Sequence, residues 1–334
     1  MSENPLAEFV DVLKAAAETS RLRILALLAG GDLTVSDLTE ILTQSQPRVS
    51  RHLKLLLEAG LIERYQEGSW AFFRLSDAER DFVAGLIQRI APNDASLARD
   101  RERLAAVKSR RQARAADYFR RNAASWDAIR SLHAPDAAVE AALLDTVSDA
   151  PIQAMLDLGT GTGRMLELFA PIYRRGVGID LLREMLAVAR VNLEKAGVAH
   201  VQVRQGDLFS APVERNGFDL VTMHQVLHYL DEPGRAVREA ARFLRPGGRL
   251  AIVDFAPHAL DFLRQEHAHV RLGFSDKQMA EWFAEAELSL ADNRAVAAAP
   301  GQEAQLTVKI WVGRDRRQLL ADRLRESARQ GELA

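Results

Sequence analysis

The stretch AMLDLGTGTGRMLELFA at residues 154–170 decides the fold of the larger part of this chain. Its apolar run at residues 155–158 is typical of a short buried strand. Gly159, Gly161 and Gly163 then recur at every second position, and a helical pattern begins at once. Glycine is expected where a ligand lies against a turn, and a helix N-terminus adds free N–H groups there. The stretch therefore predicts a strand, a glycine turn and a helix that together hold a ligand.

The spacing of this turn separates it from two other glycine-rich turns. In the dinucleotide fingerprint the third glycine comes three residues after the second, and Arg164 stands at that position here. No Lys-Ser/Thr pair follows, so the turn does not match a phosphate-binding P-loop either. Asp157 precedes the glycines, and its carboxylate suits a positively charged group better than a pyrophosphate. These features favour a cationic ligand.

Two further acidic residues stand where later strands end. Asp180 lies in the stretch GVGIDLL, where the strand is expected to end, and a carboxylate at that point can accept hydrogen bonds from both ribose hydroxyls. Asp207 follows the stretch VQVRQ and could accept from an adenine amino group. The apolar stretches FDLVTMH and RLAIVDF come next, with a helical pattern between them. Strands that alternate with helices predict a parallel, doubly wound sheet.

With the glycine turn and the strand-end aspartates in this order, residues from about 118 to 313 resemble the class I S-adenosylmethionine-dependent methyltransferases. They are close to the small-molecule type of ubiquinone and menaquinone biosynthesis. The resemblance implies a Rossmann-like α/β fold, a last antiparallel strand at LTVKIWVGR, and S-adenosylmethionine or S-adenosylhomocysteine as the cofactor. It also implies contacts to each part of the cofactor. These are Asp157, Gly159, Gly161 and Gly163 for methionine, Asp180 with Leu181 for ribose, Asp207, Leu208 and Met185 for adenine, His224 beside the sulfonium, and Tyr118 in a covering helix that also carries Phe119 and Trp126.

Candidate catalytic residues are poorly marked in the sequence. His224 and His228 lie on or just after the fourth strand, where a histidine could act as a general base for O- or C-methylation. Methyl transfer depends mainly on alignment, so both can equally be packing residues. His267 and His269 could form a metal pair, yet no third ligand is evident. We therefore predict no metal site, and the methyl acceptor stays open.

The N-terminal part carries a second motif, TVSDLTEILTQSQPRVSRHLKLLLEAGL at residues 34–61. Thr34 and Asp37 have the spacing of a capping box for a first short helix. Ser45 fits the N-cap of a second helix, which Gly60 ends. A short helix, a tight turn and a second helix with a basic outer face are typical of a helix-turn-helix that binds DNA.

Candidate DNA contacts follow from the face of the second helix that is not apolar and from the hairpin after it. The hairpin is predicted from LIERYQ, EGS and WAFFRL, which alternate apolar and polar residues around a turn. The predicted contacts are Ser45, Gln46, Arg48, Ser50, Arg51, His52 and Lys54 on the helix, with Arg64 and Arg74 on the hairpin.

Residues 8–90 resemble the ArsR/SmtB winged-helix repressors, and the helix with S-Q-P-x-V-S-x-H-L carries much of the likeness. The resemblance implies a homodimer, paired through the first and last helices of this module, that binds a double-stranded DNA operator. Metal-sensing members have cysteines where this chain has Thr34 and Ser36, which argues against metal sensing at that site.

Between these motifs lies an Arg-rich segment. Residues 99–121 contain nine basic and three acidic side chains, and no glycine or proline occurs between Pro92 and Pro135. Ala, Arg and Leu favour helix, so we predict one or two helices here. The segment is either a solvated connector or an arm that contacts phosphate or forms a dimer.

The organisation predicted is a mainly α winged helix-turn-helix followed by an α/β Rossmann-like doubly wound sheet. Its parts are a DNA-binding domain at 1–92, a basic helical linker and cofactor cover at 93–133, the methyltransferase domain at 134–313 and a charged tail at 314–334. The 334 residues contain no cysteine, which excludes disulfides, thiolate metal sites and the thiols that arsenite methylation normally uses. No signal peptide or membrane-spanning pattern is visible, so a cytoplasmic protein is expected.

Three functions fit this organisation. The first is a transcriptional regulator that senses S-adenosylmethionine or S-adenosylhomocysteine and couples methylation status to gene expression, as in regulators of methionine-cycle genes with the same order of modules. The second is an active small-molecule methyltransferase whose winged helix serves dimerisation or auxiliary regulation. The third uses the winged helix only for protein contacts. The sequence motifs do not separate a sensor from an enzyme, because both need the same cofactor site.

Overall fold

The computed structural model describes residues 6–67, 69–91, 93–126, 136–147, 150–296 and 306–317. These residues form two compact units, which divide between Arg114 and Ala115, with residues 259–261 grouped with the first. The C-terminal residues 127–133 of the predicted linker lie outside the described residues, as do residues 318–334 of the predicted tail. No helix among the described residues is long and apolar enough to cross a lipid bilayer.

The first unit is a small helical domain with a three-stranded antiparallel sheet of order β1-β3-β2. Leu25, Leu38, Val49 and Leu56 lie in its buried core, so one apolar face of each of three helices meets the others. The elements are α1 Leu6–Ala16, α2 Thr19–Leu28, β1 Leu33–Thr34, α3 Val35–Leu42, α4 Gln46–Glu58, β2 Ile62–Glu67, β3 Trp70–Leu75 and α5 Arg80–Gln88.

Local sequence signals place the helix-turn-helix as predicted. Thr34 and Asp37 form a complete capping box at the start of α3. Ser45 is the N-cap of α4 by its backbone, although its side chain makes no capping hydrogen bond. Gly60 follows the end of α4 with a φ of 69°, a left-handed conformation that favours glycine. These ends fix the length and direction of α4.

The Arg-rich segment is one helix, α6, at Ala95–Asn122. Three of its arginines bond to α3, and whether the others serve a connector or an arm that contacts phosphate or forms a dimer stays a prediction. Arg111 pairs with Asp37 at 2.5 Å, and Arg103 donates to the carbonyl oxygen of Ile41 at 3.0 Å. Arg110 pairs with Glu40. The first part of α6 therefore belongs to the packed structure of the first unit, and the division between the units falls within this helix.

The second unit is built on a seven-stranded sheet of order β6-β5-β4-β7-β8-β10-β9. The first five strands in this order are parallel, and β10 runs antiparallel between β8 and β9. The strands are β4 Ile152–Leu158, β5 Tyr173–Asp180, β6 Val201–Gln205, β7 Phe218–His224, β8 Leu244–Phe255, β9 Leu288–Val296 and β10 Val308–Asp315.

The helices of this unit are α7 Asp136–Val147, α8 Arg164–Leu168, α9 Arg183–Lys195, α10 Pro233–Ala241, α11 Phe262–Glu266 and α12 Asp276–Glu285. β5 and β7 lie on opposite sides of β4, so the strand order reverses at β4. Ligands in open α/β sheets bind at the carboxyl ends of strands beside such a point.

The doubly wound sheet and the final antiparallel strand are confirmed. The sequence analysis missed β9, whose LSLADNRAV carries too few apolar residues to stand out as a strand. β10 extends to Asp315, so residues 314 and 315 belong to the sheet rather than to a tail.

Candidate functional site

The exposed face of α4 presents most of the predicted DNA contacts. Its exposed side chains are Ser45, Gln46, Arg48, Ser50, Arg51 and Lys54. The expected outward position of His52 is wrong, because its side chain is only 12% exposed and lies 3.6 Å from the carboxylate of Glu18, the N-cap of α2. Burial lowers the pKa of His52. His52 therefore faces the N-terminus of α2 instead of facing outward.

The two hairpin arginines differ in their surroundings. Arg64 is exposed on β2, and its guanidinium lies 3.3 Å from the amide oxygen of Gln66. Arg74 on β3 is half-buried and forms two hydrogen bonds, of 3.0 and 2.8 Å, to Glu63 across the hairpin. Its positive charge is therefore partly neutralised within the hairpin, and Arg64 is the better candidate for a phosphate contact.

The glycine turn after β4 is held by backbone hydrogen bonds to β5. The amides of Gly159 and Thr160 both donate to the carbonyl oxygen of Ile179, at 2.8 and 3.0 Å. Gly159, Gly161 and Gly163 have φ values of 72°, 53° and 87°. All three positions thus use the left-handed region, which side chains rarely adopt.

The three glycines differ in the free space beside the backbone, at the place where a side chain would lie. A Cβ on Gly159 would lie 2.5 Å from a methyl group of Val226, and one on Gly163 would lie 3.3 Å from Ala189. A Cβ on Gly161 would meet nothing closer than the indole nitrogen of Trp126, at 3.8 Å. Gly159 and Gly163 therefore allow close packing of the protein itself, and their contact with a cofactor stays a prediction. Gly161 alone forms a cradle that a side chain would fill.

Asp180 lies at the carboxyl end of β5, next to that cradle. Its carboxylate accepts hydrogen bonds from the amides of Gly161 and Leu182, each at 2.9 Å. Burial raises the pKa of Asp180. A carboxylate has about four acceptor positions, so the two amides leave capacity for two hydroxyl groups. This geometry fits the vicinal hydroxyls of a ribose.

Asp157 lies deeper than expected, with only 1% of its surface exposed. Its carboxylate accepts a hydrogen bond of 2.6 Å from the hydroxyl of Thr222 on β7. In this structure Asp157 therefore ties β4 to β7 beneath the glycine turn, and its direct contact with a ligand stays a prediction.

The other predicted cofactor residues have varied positions. Met185 is buried in α9, whereas Leu181 is exposed and available at the strand end. Asp207 is exposed and accepts a hydrogen bond of 3.0 Å from the amide of Phe209, which caps a short 3-10 helix that begins at Leu208. Leu208 packs at the edge of the sheet core.

An aromatic cluster lies beside the glycine turn, formed by Tyr118, Phe119, Trp126 and Tyr229. The ring of Phe119 contacts those of Trp126 and Tyr229, with centroids 4.9 and 4.6 Å apart. Tyr118 meets Trp126 edge to face at 6.4 Å. Since Trp126 is the nearest side chain to the open side of Gly161, the cluster borders the cradle.

The two candidate catalytic histidines are not equivalent. His224 is partly exposed at the end of β7. His228 is only 1% exposed, its Nδ1 lies 2.8 Å from the buried carboxylate of Asp254, and its ring packs on His269. Its ring is therefore buried in this structure, and a role for His228 as a base stays a prediction. Among the described residues, no group of three or more His, Asp or Glu side chains could hold a metal ion.

Comparison with known proteins assigns both parts of the chain. The profile of the bacterial regulatory protein arsR family matches residues 18–64, and that of the methyltransferase domain matches residues 156–252. The arsenical resistance operon repressor of Escherichia coli is 46% identical over 68 residues, which are 20% of this chain and 58% of the repressor. The uncharacterized methyltransferase YcgJ of Bacillus subtilis is 33% identical over 138 residues, 38% of this chain and 53% of YcgJ.

This chain joins an ArsR-type helix-turn-helix domain to a class I methyltransferase domain. The chain spans about half the length of the curated relatives that it matches. The fold of the methyltransferase domain is also that of the N-methyltransferase NodS from Bradyrhizobium japonicum, solved with S-adenosylhomocysteine. The TM-score is 0.50 at 20% identity, over 60% of this chain and 98% of NodS.

The ArsR-type domain thus contains the exposed basic face of α4, and the methyltransferase domain contains the cradle at Gly161 and Asp180. Sequence reasoning missed the role of α6, whose arginines bond to α3 of the ArsR-type domain. It also missed Trp126 as the neighbour of Gly161 and Asp254 as the partner of His228. These contacts join residues far apart in the sequence, so no local pattern marks them.

The buried carboxylate of Asp157 predicts a pH dependence of stability. Burial, with the nearby charge of Asp180, raises its pKa from 3.8 to about 6. Because the folded pKa lies above the unfolded value, the folded state binds the proton more tightly, and the stabilisation present below pH 4 is lost as the pH rises to about 6. The loss is on the order of 2–3 kcal/mol.

We expect Asp157→Asn to remove this loss, so that its melting temperature exceeds that of the wild type at pH 8 and the difference narrows at pH 4.5. Thermal unfolding at both values measures it, with Asp207→Asn as an exposed control that should leave the wild-type profile unchanged. A melting-temperature difference for Asp157→Asn that is the same at both pH values would contradict the account.

Proposed function

We propose that this protein is a DNA-binding transcriptional regulator whose methyltransferase domain binds S-adenosylmethionine or S-adenosylhomocysteine and so couples methylation status to gene expression in the cytoplasm. The observation that carries the proposal is that one chain has both an exposed basic helix α4 and a cofactor cradle with its open glycine and strand-end carboxylate. DNA binding does not explain the cofactor cradle, and cofactor binding does not explain the exposed basic face of α4.

The residues at the cradle fit this cofactor class. Asp180 would accept from the ribose hydroxyls, the open side of Gly161 would admit the methionine part, and Asp207 with Leu208 would contact the adenine. Tyr118, Leu181 and His224 complete the proposed surroundings. When bound, S-adenosylmethionine supplies a methyl group on a sulfonium.

A homodimer is part of the proposal, because α1 has an apolar face that is partly exposed, although Phe9 on it also contacts Phe82 of α5. The exposed apolar side chains of α1 are Leu6, Phe9, Val10 and Leu13, which recur at helical spacing. A second copy of the chain would cover this face, and a dimer would double the phosphate contacts that provide most of the affinity for DNA.

Helix α6 offers a physical basis for coupling. Its first part holds α3 of the helix-turn-helix through Arg103, Arg110 and Arg111. Its last part carries Tyr118 and pairs Arg120 with Glu184 on α9. A ligand that changes the position of the last part would thereby act on a helix that also supports α3. Coupling requires that the ligand bind the two conformations with different affinity.

The regulatory proposal predicts that a cofactor ligand changes operator affinity. We expect S-adenosylmethionine and S-adenosylhomocysteine to differ in their effect by at least about fivefold, the lower end of typical allosteric coupling. Fluorescence anisotropy of a labelled duplex from the region upstream of the protein's own gene measures it, with free adenosine as the control ligand. Operator affinity that neither ligand changes would contradict the regulatory role.

A second function, small-molecule methyl transfer, is favoured by the end of β7. Gln225 follows His224 with a φ of 55° and is buried, and strained non-glycine residues of this kind cluster at functional sites. Formation of S-adenosylhomocysteine from S-adenosylmethionine, with a deproteinised metabolite extract as the source of acceptor, tests this function. Turnover that His224→Ala removes would support it, and no turnover would leave the sensor as the better account.

A further inference from the structure

One hydrogen bond in the methyltransferase domain joins two segments that the proposed function does not otherwise connect. The hydroxyl of Tyr118, near the end of α6, lies 2.7 Å from Nδ1 of His267, just after α11. The two rings also meet edge to face, with centroids 5.8 Å apart. The ring of Tyr118 contacts the aromatic rings of Phe119 and Trp126, and its hydroxyl meets His267 as a polar partner.

The electrostatics of the pair favour a neutral donor and a neutral acceptor. Burial raises the pKa of Tyr118, so its hydroxyl keeps the proton that it donates. Burial lowers the pKa of His267 and outweighs the nearby charge of Glu266, so the imidazole is neutral near pH 7 and Nδ1 can accept. When the imidazole proton is on Nε2, the tyrosine hydroxyl donates and Nδ1 accepts, and when it is on Nδ1, the imidazole donates to the tyrosine oxygen.

The hydroxyl of Tyr118 is not needed for packing. A phenylalanine would make the same ring contacts without placing a polar group in a partly buried site, where a hydroxyl is costly unless it is hydrogen-bonded. The hydrogen bond to His267 offsets this cost and fixes the rotation of Tyr118. Through its contact with Trp126 it also fixes the side chain nearest the open face of Gly161.

We propose that His267 is a positioning residue for the cofactor: it holds Tyr118, and with it the aromatic cluster, in place beside the Gly161 cradle. This inference rests on the proposed binding of S-adenosylmethionine or S-adenosylhomocysteine. It assigns to His267 a role in affinity for that ligand class without contact with it. The metal-pair interpretation of His267 and His269 is not needed for this role.

The test is a double-mutant cycle on the full chain, with binding of S-adenosylhomocysteine measured by calorimetry. Tyr118→Phe and His267→Leu should each weaken binding roughly three- to tenfold, the worth of one hydrogen bond. The double variant should bind no more weakly than the weaker single variant, because both changes remove the same bond. His200→Leu is the matched control, since His200 is an exposed histidine of the same domain, and it should bind like the wild type.

The conservative variant His267→Asn separates positioning from packing. Its side-chain oxygen can accept from Tyr118 much as Nδ1 does, so it should recover binding to within about twofold of the wild type. The proposal would be overturned if Tyr118→Phe bound S-adenosylhomocysteine with wild-type affinity. It would also be overturned if the affinity losses of the two single variants added in the double variant. If His267→Leu fails to fold, the smaller variant His267→Ala takes its place in the cycle with Tyr118→Phe, because only a cycle that includes His267 tests its role. If the wild type itself does not bind S-adenosylhomocysteine, the proposed function fails first and is recognised before any variant is compared.

Discussion

Asp180→Ala is expected to weaken binding of S-adenosylhomocysteine by at least about 100-fold. Without the carboxylate, the complex would lose two charge-assisted hydrogen bonds to the ribose, each worth about 1.5–3 kcal/mol. The substitution would also release the amide of Gly161, which donates to Asp180 at 2.9 Å. Isothermal titration calorimetry with the full chain measures the loss.

The conservative variant Asp180→Asn tests the charge separately from the shape. Its amide oxygen can still accept one hydrogen bond, whereas its NH₂ group cannot accept, so an intermediate affinity is expected. Both variants should bind the operator fragment like the wild type when no ligand is present, because Asp180 lies in the methyltransferase domain. An affinity of Asp180→Ala within threefold of the wild type would remove Asp180 from the cofactor site.

Arg51→Ala combined with Lys54→Ala is expected to weaken operator binding by about 100-fold or more at physiological salt. Both side chains are exposed on α4, and a dimer would present each of them twice. Each lost phosphate contact reduces the magnitude of the negative slope of log affinity against log salt by about 0.9, so the loss of four contacts would reduce it by roughly 3 to 4. Fluorescence anisotropy at several salt concentrations measures both quantities.

A matched control removes two positive charges from the other domain. Arg190 and Lys195 are exposed on α9, and replacing both with alanine changes the net charge by the same amount. We expect this control to keep the wild-type salt slope. Equal losses in the two double variants would mean that overall charge, rather than α4, determines DNA binding, and the recognition face would have to be placed elsewhere.

Short-range signals predicted much of the fold. The capping box at Thr34–Asp37 involves residues three apart, and it is complete in the structure. The glycine turn and the strand-end position of Asp180 also follow from local patterns. Such features are readable because backbone sterics and terminal N–H groups determine them within a few residues.

What the sequence did not show depends on contacts between distant segments. His52 has the spacing of an outward residue, yet Glu18 from another helix lies against it. The arginines of α6 read as a charged surface, but α3 supplies the carboxylates and the carbonyl that they bind. His228 is an ordinary strand-end histidine until Asp254 is placed beside it. Tertiary packing determines each of these positions, and no periodicity records it.

The central claim is that cofactor binding and operator binding are thermodynamically linked, and the affinity for S-adenosylhomocysteine with and without saturating operator fragment tests it most directly. Linkage is reciprocal, so the operator must change the affinity for the ligand by the same factor by which the ligand changes the affinity for the operator. We predict that the operator changes the affinity for S-adenosylhomocysteine by at least about fivefold. The double variant Arg51→Ala/Lys54→Ala should not bind the operator at that concentration, so its affinity for the ligand should not change. An affinity that is the same with and without the operator would contradict the account.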